Sequence, residues 1–93
     1  MNQWLLVFDS THHAMAAESR LKEKAIEGLS FQMIPTPRQI TASCGLSLLL
    51  TVTDIDSLHQ VRQRLADHHI EWVGLYRKEA DQEHPWRQCY EDC

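Results

Sequence analysis

The chain has 93 residues, 43% of them hydrophobic and 24% charged, and a net charge of −4 at pH 7. A chain this short holds one domain with a modest core, because it buries only about 60–65% of the surface that its unfolded form exposes. The composition excludes extended disorder, and the negative charge argues against a nucleic-acid partner, since sequence-independent binding needs clustered Lys and Arg.

Trp4-Leu5-Leu6-Val7-Phe8 is an unbroken apolar run bounded by Asp9 and Ser10, which reads as a central strand buried on both faces. The run lacks a basic flank and is too short for a signal peptide or a membrane span, so the cytoplasm is the expected compartment and no membrane partner is expected. Ser10 or Thr11 can cap a first helix, in which Ala14, Ala17, Leu21 and Ala25 recur at three- and four-residue steps and Gly28 supplies the left-handed stop. Phe31 and Met33 alternate about Gln32 to give a short second strand. Pro35 and Pro37 have no backbone N–H and a fixed φ, so pairing stops there and a stiff loop follows.

Leu46, Leu48, Leu50 and Val52 occupy one face of a third strand, with Ser47, Leu49 and Thr51 on the other. Thr53 opens a capping-box-like turn in which its hydroxyl accepts from the Asp56 N–H. The second helix that follows buries Ile55, Leu58, Val61 and Leu65 and ends near His68-His69. Ile70 to Tyr76 is the last strand. The order β-α-β-β-α-β, with right-handed crossovers, specifies an α+β, ferredoxin-like domain: a four-stranded antiparallel sheet with two helices on one face. The domain is expected over residues 1–77, with a polar, loosely attached tail over residues 78–93. Trp72, Tyr76 and Leu49 can lie on the open sheet face, either as a surface for a homodimer or partner protein or, more commonly for such residues, simply as half-buried apolar side chains.

The chemistry is expected at Cys44. An isolated cysteine is by default a small buried hydrophobe. Here the thiol ends a polar loop and precedes Gly45, which can take positive φ or admit close approach of another molecule. Arg38 folded back toward it would favour the thiolate, the nucleophilic form. Three cysteines without an export signal favour reduced thiols. Cys89 and Cys93 lie four apart near His84, too few ligands and too wide a spacing for a structural zinc site, so neither a metal nor another cofactor is assigned. The adjacent pairs His12-His13 and His68-His69 point about 100° apart on a helix, so each pair is read as cap-proximal or solvent-facing, the lesser alternative being His12 or His13 near the Cys44 loop.

Ser10-Thr11 opening a helix with Ala14 and Glu18, followed by Ile34-Pro35-Thr36-Pro37-Arg38 and Ser43-Cys44-Gly45, resembles the family of small bacterial domains described as "Putative Se/S carrier protein-like". The resemblance runs from about Trp4 to Tyr76. It implies that Cys44 holds sulfur or selenium as a persulfide or its selenium equivalent, passed between donor and acceptor proteins. Pro35, Thr36, Pro37, Arg38, Ser43 and Gly45 would form the supporting loop. Cys89 or Cys93 would serve as a resolving thiol if the tail folds back. A carrier needs no turnover chemistry of its own. The alternative is a non-catalytic regulatory or interaction module in which Cys44 is incidental.

Overall fold

The computed structural model describes residues 2–38, 40, 45–79 and 85–88. Along the chain run β1 (Asn2–Val7), α1 (Thr11–Glu23), β2 (Leu29–Pro35), β3 (Leu46–Val52), α2 (Ile55–Asp67), β4 (Gly74–Lys78) and β5 (Trp86–Gln88). The strands form one five-stranded sheet in the order β2-β3-β1-β4-β5, with every neighbouring pair antiparallel. The expected order of two helices and four strands is present, and the sheet has one strand more than expected.

Register explains which face of the sheet is covered. Trp4 pairs with Leu50 and Leu6 with Leu48, and directly paired residues share a face. These four side chains, with Phe8, Val52 and Leu75, meet Ala14, Ala17 and Leu21 of α1 and Leu58, Val61 and Leu65 of α2 in one cluster of buried residues. Ala14 and Ala17 have no bulk beyond Cβ, so the α1 backbone can come close to the sheet. Truncating a fully buried leucine such as Leu48 would cost about 2–5 kcal/mol through lost transfer energy and the cavity left behind.

On the other face Leu5 and Val7 are also buried, at 0% and 5% exposure. Leu5 pairs with both Leu49 and Tyr76, and the Tyr76 ring lies over Gly74, where an added Cβ would stand 2.8 Å from Cε1. The central strand is therefore buried on both sides, as its continuous apolar run requires. Leu49 and Tyr76 lie on this helix-free face as expected. Trp72 does not: it packs against the helix-side core, with the Arg62 guanidinium 5.7 Å from its ring centroid.

Several boundaries differ from the sequence expectation. α1 ends at Glu23, with Lys24 already extended, so Ala25 is exposed outside the helix and Ile26 enters the core in its place. Gly28 does have positive φ, +80°, but in the turn into β2. That turn is held from α2: Arg64 donates to the Lys24 carbonyl, Ser57 Oγ to the Glu27 carbonyl at 2.7 Å, and the Thr53 N–H to the Gly28 carbonyl at 3.0 Å. Asp54, not Thr53, caps α2 by accepting from the Ser57 N–H at 3.1 Å. Thr53 spends its own N–H on Gly28, and Ile55, one residue inside the helix, is 43% exposed.

At the far end of α2, His69 takes φ +58° while its N–H bonds the Ala66 carbonyl and the Ile70 N–H bonds the Leu65 carbonyl. These are the paired bonds of a left-handed helix stop, closed by apolar contact between its third-last residue and the residue after the stop. Ile70 thus belongs to the stop, and the last strand expected from Ile70 begins instead at Gly74. β5 corrects the expectation of a loosely attached tail for residues 85–88: it pairs with β4 in the register Lys78↔Trp86, and the Glu79 N–H donates to the Pro85 carbonyl at 2.5 Å.

Two left-handed positions yield opposite outcomes. Gly28→Ala should lower stability by more than about 2 kcal/mol, because a Cβ there meets positive φ and collides with Thr53 Oγ1. His69→Gly should raise stability by about 0.5–1 kcal/mol by relieving the same penalty. Urea denaturation midpoints measure both, and a loss on His69→Gly would contradict the assignment of the stop.

Candidate functional site

The described ends of the loop between β2 and β3 are tied together. Pro35, the last residue of β2, pairs with Leu46, and one residue further the Thr36 N–H donates to the Gly45 carbonyl at 2.9 Å. On the helix-free face the Thr36 and Ser47 hydroxyls are 2.5 Å apart, with Ser47 fully buried. A buried serine between two leucines is tolerable only because that hydroxyl has a partner. Beyond the tie, Pro37 accepts from the Ile40 N–H at 3.0 Å, a tight turn that starts the loop, and Arg38 is exposed.

The loop base sits where β1 ends. Val7 pairs with Ser47, and a Cβ on Gly45 would lie 3.7 Å from the Phe8 carbonyl oxygen and 3.6 Å from Thr36 Oγ1. Both are ordinary van der Waals distances. Gly45 does not have positive φ; Gly28 is the glycine that does among the described residues. Of the two uses open to Gly45 from the sequence, positive φ is not the one taken.

The same end of the sheet receives the start of α1. Ser10, in extended conformation, accepts from the His13 N–H at 3.2 Å, and the His13 ring Nδ1 is 3.2 Å from Asp9 Oδ1. His12 is exposed. His68 ends α2 as its C-cap and His69 forms the left-handed stop, so that pair is structural. The Val73 N–H donates to the Val7 carbonyl at 2.8 Å, which brings the α2–β4 connection to this end as well.

Of the residues singled out from the sequence, Pro35, Thr36, Pro37, Arg38 and Gly45 are placed in this way. Ser43 and Cys44 lie outside the described residues, as do His84, Cys89 and Cys93. No group of three or more His, Cys, Asp or Glu side chains suited to a metal ion occurs among the described residues. Among them, too, no helix is long and apolar enough to cross a membrane.

The sequence reading missed two features. Ser47 gave only a weak signal, a lone polar residue in an apolar strand. The second is a surface groove of about 400 Å³ along α2, lined by His59, Arg62, Gln63, Ala66, Ile70 and Trp72. Positions 59, 62, 63 and 66 share one helix face by their spacing, but only the folded chain brings Trp72 against them.

With this geometry in view, comparison with known families is decisive. The model of the family "Putative Se/S carrier protein-like" matches residues 3–77. The chain belongs to that family. The match runs from Gln3 in β1 through Arg77 of β4, takes in the whole β2–β3 loop and stops before β5. No curated protein and no solved structure matches the chain.

The hydroxyl tie makes a measurable claim. Thr36→Val should cost about 1–2 kcal/mol, since it leaves the fully buried Ser47 hydroxyl without a partner, and Ser47→Ala should cost less, since the half-buried Thr36 hydroxyl can turn to water. The double variant should cost clearly less than the sum of the two, as expected for groups that bond one another. Gly45→Ala should change stability by no more than about 1 kcal/mol in either direction. Additive losses at Thr36 and Ser47 would show that the two hydroxyls do not act as a pair.

Proposed function

We propose that this family member is a sulfur or selenium carrier and that Cys44 is the atom-bearing residue. The observation that carries the reading is family membership over residues 3–77, which include the thiol and its flanking Pro35-Thr36-Pro37-Arg38 and Gly45. The tied loop base supports it: Gly45, bonded directly to Cys44, is held at the sheet end by Thr36, so the segment bearing the thiol leaves a fixed anchor.

In the proposed step the Cys44 thiolate attacks the terminal sulfur of a persulfide on a donor protein such as a cysteine desulfurase. An S–S bond to Cys44 forms as the donor's S–S bond breaks, and the donor cysteine leaves as its thiolate. Transfer to an acceptor thiolate repeats the exchange with Cys44 as the leaving group, and selenium follows the same path. Arg38 and the backbone N–H groups from Ser43 to Gly45 would stabilise the anionic adduct. Cys89 or Cys93 could resolve it by attacking the Cys44 sulfur, forming a disulfide and releasing hydrosulfide.

Incubation with a cysteine desulfurase and cysteine, followed by intact mass measurement, tests this. The wild-type chain should gain one sulfur atom that dithiothreitol removes, and Cys44→Ser should gain none. Sulfur found on Cys89 or Cys93 with Cys44 untouched would make the assignment wrong.

A further inference from the structure

β2 is the outermost strand on its side of the sheet, and its hydrogen-bonding groups can be assigned one by one. The Thr53 N–H bonds the Gly28 carbonyl and the Thr36 N–H bonds the Gly45 carbonyl, at opposite ends of one uninterrupted β2–β3 register. In an antiparallel ladder inward and outward residues alternate, so Ser30, Gln32 and Ile34 direct their backbone groups at β3. Leu29, Phe31, Met33 and Pro35 direct theirs outward. Leu29 already donates to the Ile26 carbonyl, and Pro35 has no N–H. Among the described residues this leaves two outward donors without a partner, on Phe31 and Met33, between two closed ends.

Nothing in β2 itself discourages pairing. Natural edge strands are guarded by charge, interior proline, a bulge or short length. β2 runs seven residues with no charge and no bulge, and its proline stands at the end. β5, on the opposite edge, has three residues and carries Arg87, 3.8 Å from Glu79. Both helices pack against β3, and Phe31 and Met33 are only half-buried at the rim of the core.

We propose that two copies of this chain associate through β2, antiparallel about a two-fold axis at Gln32, joining their sheets edge to edge. In that register each Phe31 stands opposite Met33 of the other copy, and the two residues exchange both backbone bonds. All the outward donors are then satisfied at once. The same pairing sets a thioether against an aromatic ring on the helix side, a favourable contact that extends each core across the junction. The edge is self-complementary, which selects a second copy as the occupant. Because the strands run in opposite directions, the two Pro35-Thr36-Pro37 segments leave the joined sheet at opposite ends, each open to its own partner.

Gln32 is exposed and faces its own counterpart at the axis, in a pair without backbone bonds where side chains stand closest. Sedimentation velocity over a concentration series should show the wild-type chain passing from monomer to dimer. Gln32→Lys and Gln32→Glu, each setting like charges opposite one another, should raise the dimer dissociation constant by about tenfold or more. Far-UV circular dichroism of both variants should stay unchanged. An equimolar mixture of the two should associate again, less so at high salt. A wild-type chain that stays monomeric at every concentration would overturn the proposal and leave the edge to a strand of another protein. Dimers indifferent to Gln32→Lys, or a mixture that fails to re-associate, would overturn it equally.

Discussion

The pairing of β1 with β3 is the constraint from which the rest of the molecule follows. It sets Trp4, Leu6 and Phe8 beside Leu48, Leu50 and Val52 on one face, the surface on which both helices must lie to bury their own stripes. A shift of β3 by one residue against β1 would exchange Leu48, Leu50 and Val52 with Ser47, Leu49 and Thr51 on the helix side. Ser47 would then carry its hydroxyl into the helix-side core, so the register is defended by a polar group as well as by apolar ones.

The same pairing positions the loop base. Because Val7 is opposite Ser47, the end of β1, the anchor at Gly45 and the first turn of α1 share one end of the sheet. At the other end α2 clamps the α1–β2 turn through Arg64, Ser57 and Thr53, so the two crossovers hold each other. The sheet thereby fixes where the segment between Ile40 and Gly45 leaves it and where it returns. Rigid elements locate a site more firmly than the loop itself can.

The central strands and the helix faces were legible in the sequence because their signals are periodic. Trp4 to Phe8, the Leu48, Leu50, Val52 alternation, and the Leu58, Val61, Leu65 stripe each reappear as buried residues, with Leu46 partly buried beside them. Boundaries were less legible. Lys24, Asp54 and Ile70 mark ends set by partners distant in sequence: the Arg64 side chain on Lys24, the Gly28 carbonyl that engages Thr53, and the Leu65 carbonyl beneath Ile70. At the loop, pairing was expected to stop at Pro35 but runs on to Thr36, because Pro35 sits on an edge strand with its missing N–H turned away from β3; the tie from Thr36 to Gly45 and Ser47 had no local signature. Trp72 was assigned to the wrong sheet face because a strand was assumed where the chain is still turning out of α2.

Composition, periodicity and the proline-punctuated loop by themselves determined a small α+β domain with a doubly buried first strand, and family motifs placed the cysteine segment within it. Local patterns suffice there because burial of one face imposes a period on the chain. Tertiary structure alone decided that residues 86–88 add a fifth strand, that Thr36 and Ser47 meet, and that Trp72 packs on Arg62. Each of those depends on backbone groups or side chains far apart in sequence becoming neighbours, and no local pattern records such a meeting before the chain has folded.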